Sequence, residues 1–167
     1  LVTWLRKEPG IDTALAVLDT YLSQHARILA PAGTLPLDRL QQRLDQLGLD
    51  ADTYAAQTGL PLVAEPAQLH LAGFDRYRRP LWLTRHAAHA WQRLHAAAAA
   101  DGIALDAISG YRSHDYQLGI FERKLARGLG VAEILTVNAA PGYSEHHGGN
   151  ALDIGTPGEP PAEESFE

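Results

Sequence analysis

Leucines recur along the first part of the chain at helical spacing. Leu15, Leu18, Leu22 and Leu29, with Ala26 among them, follow a period close to 3.6 residues and predict an amphipathic helix over 13–29. Ala30-Pro31-Ala32-Gly33 breaks it. A second stripe, Leu37, Leu40, Leu44 and Leu47, ends near Gly48, and a third short helix is predicted over 52–58, before Gly59-Leu60-Pro61. Residues 1–61 thus read as a small helical unit whose leucine stripes serve as core. They carry no chemistry of their own.

The pattern changes over 62–80, where Leu69, Leu71 and Phe74 alternate weakly and predict one or two short strands flanked by a turn. Arg76, Arg78 and Arg79 follow beside Tyr77 and read as a solvated loop. Thr84 to Ala100 is alanine-rich, opens on a capping threonine and ends at Asp101-Gly102, which predicts a helix with Ala87, Trp91, Leu94 and Ala98 on one face. His86, His89 and Arg93 fall on another face. The two histidines lie one turn apart, but without a third convergent ligand they read as surface residues.

Ile103 to Ser109 alternates as a strand and delivers the chain to Gly110-Tyr111-Arg112-Ser113. Ser113 can cap the next helix, whose apolar side is Leu118, Phe121 and Leu125 and whose stop is Gly128-Leu129-Gly130. Val131 to Val137 predicts a helical turn, and Asn138-Ala139-Ala140-Pro141-Gly142 a second change of direction.

Composition narrows the classes. At 167 residues the chain suits one domain, or a compact domain with a small appendage. The net charge of −6 leaves no basic footprint for nucleic acid. With no cysteine there is neither a disulfide framework nor a thiolate metal site. No apolar run is long enough to span a bilayer, and no signal peptide is visible. The chain begins at Leu1 and has no methionine, so a natural start, with any signal or anchor, is expected outside it.

The stretch richest in chemistry is Tyr143-Ser144-Glu145-His146-His147-Gly148-Gly149-Asn150-Ala151-Leu152-Asp153-Ile154-Gly155. Paired glycines and a short apolar run, read as a buried strand start, separate His146 from Asp153 and suit a loop that folds back so both side chains converge. Imidazole with carboxylate suggests zinc. A solvated polar turn is the alternative. Arg112, at the end of its strand, offers a planar fork of donors suited to a terminal carboxylate or a developing oxyanion, or else braces its turn against a neighbouring carboxylate. Gln117 and Ser144 are uncharged donors and acceptors able to fix a peptide backbone; as a solvent-facing helix residue and a turn serine they would do nothing of the kind.

Ser144, His146, Gly149, Ala151 and Asp153 fill a Ser-x-His-x-x-Gly-x-Ala-x-Asp pattern that resembles the metal motif of the VanY-type D-alanyl-D-alanine carboxypeptidases, within the M15 zinc peptidases. Some thirty residues earlier, Ser109-Gly110-Tyr111-Arg112-Ser113 followed by Gln117 resembles the same family's substrate-binding turn. The resemblance covers about residues 70–167 and implies an α+β fold, a small antiparallel sheet with packed helices of the hedgehog/DD-peptidase kind, over 62–167 and preceded by the helical unit. It implies a zinc-dependent hydrolase cleaving D-Ala-D-Ala at the end of peptidoglycan stem peptides in the periplasm or cell envelope. His146 and Asp153 would be metal ligands, Arg112 the catalytic and substrate-contacting cation, and Ser113, Gln117 and Ser144 further substrate-binding residues.

The family's third zinc ligand and catalytic glutamate belong to a Glu-x-x-His-like segment well beyond the aspartate, and no position here matches it. The chain reads as a fragment, inactive by itself, that stops at Glu167 before that segment. Two alternatives stay open. His147 or Glu145 completes a makeshift site, or the protein is a non-catalytic module of the same fold that binds peptidoglycan stems.

Overall fold

The computed structural model describes residues 37–159; the helix expected over 13–29 and the prolines and glutamates after 159 lie outside the described residues. Helix α1, Leu37–Gln46, keeps the predicted stripe, with Leu40 and Leu44 buried on it and Leu47 just beyond its end. Helix α2, Ala51–Thr58, opens where Asp50 accepts from Thr53 N–H at 2.8 Å and closes where Gly59 N–H donates to Ala55 O at 2.8 Å.

These helices share a core with the histidine loop. Leu40, Leu44 and Tyr54 pack against Ala140 and Tyr143. Tyr54 OH accepts from Ala140 N–H at 3.1 Å, Tyr143 OH donates to Ala51 O at 3.1 Å, and the two rings meet edge to face with centroids 4.9 Å apart. Arg43 on α1 donates from Nε to Asp115 at 2.7 Å.

Two antiparallel strand pairs supply the β component among the described residues. Strand β1, His70–Phe74, pairs with β2, Pro80–Leu83, in the register His70↔Leu83 and Leu71↔Trp82. Strand β3, Asp106–Ser109, pairs with β4, Asp153–Gly155, in the register Asp106↔Gly155 and Ser109↔Asp153. The pairs are joined by Arg76 N–H to Ala107 O at 2.8 Å and Tyr111 N–H to Trp82 O at 3.0 Å. The predicted α+β class therefore holds, with the antiparallel component divided into two short pairs.

Helix α3, Arg85–Ala100, is capped by Thr84 as expected, buries Ala88 and Trp91 against Leu81, Leu83 and Ala107, and buries Ala98 further along. Leu94 departs from its expected face and is 48% exposed, because the buried stripe runs through position 88 rather than 87. The strand expected from Ile103 begins only at Asp106: Ile103 N–H donates back to Ala98 O at 2.8 Å and finishes the helix, which leaves its side chain outside. Helix α4, His114–Ala126, is capped by Ser113, whose Oγ accepts from Tyr116 N–H at 3.0 Å. It buries Phe121 against Ile134 of the short helix α5, Val131–Ile134. Each of these two side chains is fully buried and contributes about 1.5–3 kcal/mol by leaving water.

The arginine cluster after β1 is knitted into the fold. Arg76 binds Thr156 O at 2.6 Å, Glu159 O at 2.7 Å and Asp106 at 3.4 Å. Arg79 is held by Asp75 at 2.6 Å and Ile108 O at 3.1 Å, and its guanidinium lies 4.8 Å above the Tyr77 ring. These two cations fasten the β1–β2 turn to β3 and the segment after β4, in place of the solvated loop expected from their sequence.

Candidate metal centre

After Tyr143 the chain makes a single 3-10 turn, Glu145–Gly148, within the stretch expected to fold back as a loop. Ser144 caps it by accepting from His146 N–H at 3.4 Å, and Gly149 N–H closes it on His146 O at 3.2 Å. Tight winding lets two adjacent residues both turn inward: His146 and His147 are buried while Glu145 is exposed.

His146 Nδ1 lies 2.8 Å from Gly110 O. A carbonyl only accepts, so Nδ1 carries the hydrogen and Nε2 keeps its lone pair. That lone pair faces Asp153 Oδ2 at 3.3 Å. The β3–β4 register explains the meeting, since it sets Asp153 opposite Ser109, one residue before the carbonyl that holds His146. Gly110 must be glycine here: a Cβ would stand 2.7 Å from Leu81 Cδ1 and 2.9 Å from Trp82 O.

The pair fits zinc. A tetrahedron whose centre lies about 2.1 Å from each donor has an edge of about 3.4 Å, which the observed 3.3 Å matches, whereas the distance is long for a direct hydrogen bond. The Nδ1 contact to a backbone carbonyl is the outer hydrogen bond that metal-binding histidines characteristically make. Burial pushes the Asp153 carboxyl up, but the contact with His146 and the Arg112 charge outweigh it and hold its pKa below the usual carboxylate value. The donor therefore stays ionised at neutral pH. Among the described residues no group of three or more His, Cys, Asp or Glu side chains is placed to hold a metal.

Arg112 stands directly behind the turn. Its N–H donates to His146 O at 3.2 Å and its carbonyl accepts from His147 Nδ1 at 2.6 Å. Its side-chain Nε is buried without a hydrogen-bond partner. Leaving such a charged donor unpaired costs roughly 1–3 kcal/mol or more.

The remaining expected residues sit around this centre in structural contacts. Ser113 and Ser144 cap α4 and the 3-10 turn. Gln117 is fully buried and donates its amide to Ala139 O at 2.8 Å, bracing the approach to the loop, while its Oε1 has no partner. The makeshift ligands are corrected: His147 points to Arg112 O and Gly142 N–H instead of to Asp153, and Glu145 faces solvent. The expected buried strand start is also revised, with β4 beginning at Asp153 and Ile154 45% exposed. His86 and His89 lie exposed on α3, away from the centre, as expected.

Three partners had no sequence signal. Glu65, from the irregular segment before β1, accepts from His114 N–H at 2.6 Å and from the Tyr111 hydroxyl; burial, then the Glu65 charge, pushes the Tyr111 pKa well above its ordinary value. His114 Nε2 donates to Val63 O at 2.8 Å, and its ring stands edge-on to His147 with centroids 4.4 Å apart.

His146 and Asp153 thus converge as two donors, with the Arg112 charge acting on the carboxylate. A family model described as VanY, D-alanyl-D-alanine carboxypeptidase, matches residues 80–167, and the chain belongs to that family. YodJ of Bacillus subtilis (strain 168), provisionally named a carboxypeptidase, is 34% identical over 102 residues, covering 59% of this chain and 37% of that protein. Similar solved structures include the LdcB LD-carboxypeptidase, at 33% identity and TM-score 0.48 over 55% of this chain and 44% of that one. Another is a vancomycin-resistance D,D-pentapeptidase VanY variant with Zn(II), at 30% identity and TM-score 0.43 over 56% and 57%. The chain spans less than two thirds of the length of each.

Proposed function

We propose that this chain forms part of a zinc-dependent carboxypeptidase that removes D-alanine from the D-Ala-D-Ala end of peptidoglycan stem peptides, in the periplasm or cell envelope. The observation that carries the reading is the 3.3 Å approach of His146 Nε2 to Asp153 Oδ2, with the imidazole's other nitrogen tied to Gly110 O, in a chain of the VanY family. Zinc supplies Lewis acidity and a nucleophilic water when bound. His146 presents a fixed lone pair, and Asp153 remains a carboxylate.

Arg112 takes the peptide's terminal carboxylate or the oxyanion that develops on the scissile carbonyl, the roles for which a guanidinium fork is suited. Ser113, Gln117 and Ser144 complete the proposed substrate wall. The serines hold their turns through one lone pair and keep a hydroxyl proton, and Gln117 keeps an unpaired Oε1.

The test is D-alanine release from a synthetic pentapeptide stem by the full-length gene product that carries this chain, with its zinc content measured alongside. About one zinc per chain and release abolished by a chelator are expected. No release from the zinc-loaded protein contradicts the reading, and stem-peptide binding without turnover would make the chain part of a non-catalytic stem-binding module instead.

A further inference from the structure

We infer that His147 is a positioning residue: its neutral imidazole, wedged between Gly142 N–H and the Arg112 carbonyl, sets where Arg112 stands relative to His146 and Asp153. The inference rests on the reading of Arg112 as the stem-peptide contact. His147 itself touches neither the proposed metal nor substrate.

Three contacts locate the ring. Gly142 N–H lies 3.0 Å from Nε2 and can only donate, so Nε2 is bare. The hydrogen is therefore on Nδ1, which meets the Arg112 carbonyl at 2.6 Å. His114 closes one face edge-on at 4.4 Å, and is itself fixed by donating to Val63 O at 2.8 Å. Val63 N–H in turn donates to Gly142 O at 2.8 Å, so both backbone groups of Gly142 are held. The ring is fully buried, and no water competes for its nitrogens.

The consequence for the site follows from the chain. His146 O receives the Arg112 N–H at 3.2 Å and His147 Nδ1 holds the Arg112 carbonyl, so two consecutive residues of the turn clamp both ends of one residue. His146 points its free nitrogen at Asp153 from that same turn. The offset between the Arg112 backbone and the proposed metal donors is thus fixed at one residue, and misplacement by about 1 Å in such an arrangement can cost 100-fold in rate.

The bonds can be separated by substitution. The carboxamide of Asn superposes on Nδ1 and can still donate to the Arg112 carbonyl, while that of Gln reaches Nε2 and can still accept from Gly142 N–H. We expect His147→Asn and His147→Gln to lower thermal stability alike, but His147→Gln to raise the KM for a D-Ala-D-Ala stem peptide about tenfold more than His147→Asn in the full-length enzyme. Adding Arg112→Ala should erase that difference. Equal KM values for the two variants would overturn the inference.

A second measurement stands without activity or variants. A two-bond proton–nitrogen correlation spectrum at pH 7 should show His147 protonated at Nδ1 and bare at Nε2; the opposite tautomer overturns the inference. Absence of D-alanine release by the wild type would remove the functional reading alone, and the tautomer would then decide this one.

Discussion

Two histidine pairs sit in this chain, and only one has the makings of a site. His86 and His89 are one turn apart on α3, the spacing that most readily suggests two ligands on one helix face, yet both are exposed beside a shallow cleft with Gln92, Arg93 and Ala96. Among the described residues no hydrogen bond fixes either ring. His146 and His147 are adjacent, a spacing that on a strand would send them apart, yet the 3-10 turn buries both and each nitrogen facing the interior has a named partner. Spacing offers a pair of nitrogens; fixing the tautomer and orientation is what turns a nitrogen into a ligand.

The sharpest break of this contrast is metal binding. His146→Ala or Asp153→Ala in the full-length gene product should weaken zinc affinity by about 10³-fold or more, beyond the roughly 100-fold typical of losing an outer partner. His86→Ala and His89→Ala should leave it within about twofold by competition against a zinc indicator, as surface substitutions do. Comparable losses from both pairs would erase the distinction.

Next in size is the cation behind the turn. Arg112→Lys should lower kcat/KM for D-alanine release about 100-fold at unchanged thermal stability, since an ammonium cannot reproduce the guanidinium fork. A loss under about threefold would show that the fork is not used.

Smaller effects test how the turn is held. Gly142 has φ 91° and a Cβ there would meet Leu40 Cδ1 at 2.5 Å, so Gly142→Ala should cost about 2–4 kcal/mol in urea unfolding. Gly128 has a similar φ of 94° with open space around it, so Gly128→Ala should cost only about 1 kcal/mol. Equal costs would mean that contact between α1 and the loop is not tight.

The smallest is a pH effect. Burial, opposed by the bond to the Arg112 carbonyl and reinforced by the charges of His114, Arg112 and His146, lowers the His147 pKa to about 3 from 6.5. Between those values the unfolded chain binds the proton and the folded chain does not, so stability falls as pH drops through that window and is fully present above it. The slope is at most about 1.4 kcal/mol per pH unit and should be absent from the stability–pH curve of metal-free His147→Gln protein. An identical slope in both would place the titration elsewhere.

What the sequence made legible was local. Thr84 and Ser113 announced their helices because a cap and its recipient are three residues apart, and Leu40 and Leu44 announced α1 through a period that one helix completes by itself. His146 and Asp153 were readable as a pair through a short motif. What holds them was not. Gly110 O lies 36 residues before His146, the His147 partners are backbone groups with no residue signature, and Val63 and Glu65 come from a segment with no pattern at all. Leu94 and Ile103 were misplaced because the choice between neighbouring positions on a helix, or between ending a helix and starting a strand, is made by tertiary packing.

The account stands on a metal between two side chains, and an anomalous difference map at the zinc edge, from crystals of the full-length gene product, sees it directly. A single peak about 2.1 Å from both His146 Nε2 and Asp153 Oδ2 is the predicted result. Zinc bound elsewhere, with these two side chains left in direct contact, would contradict it.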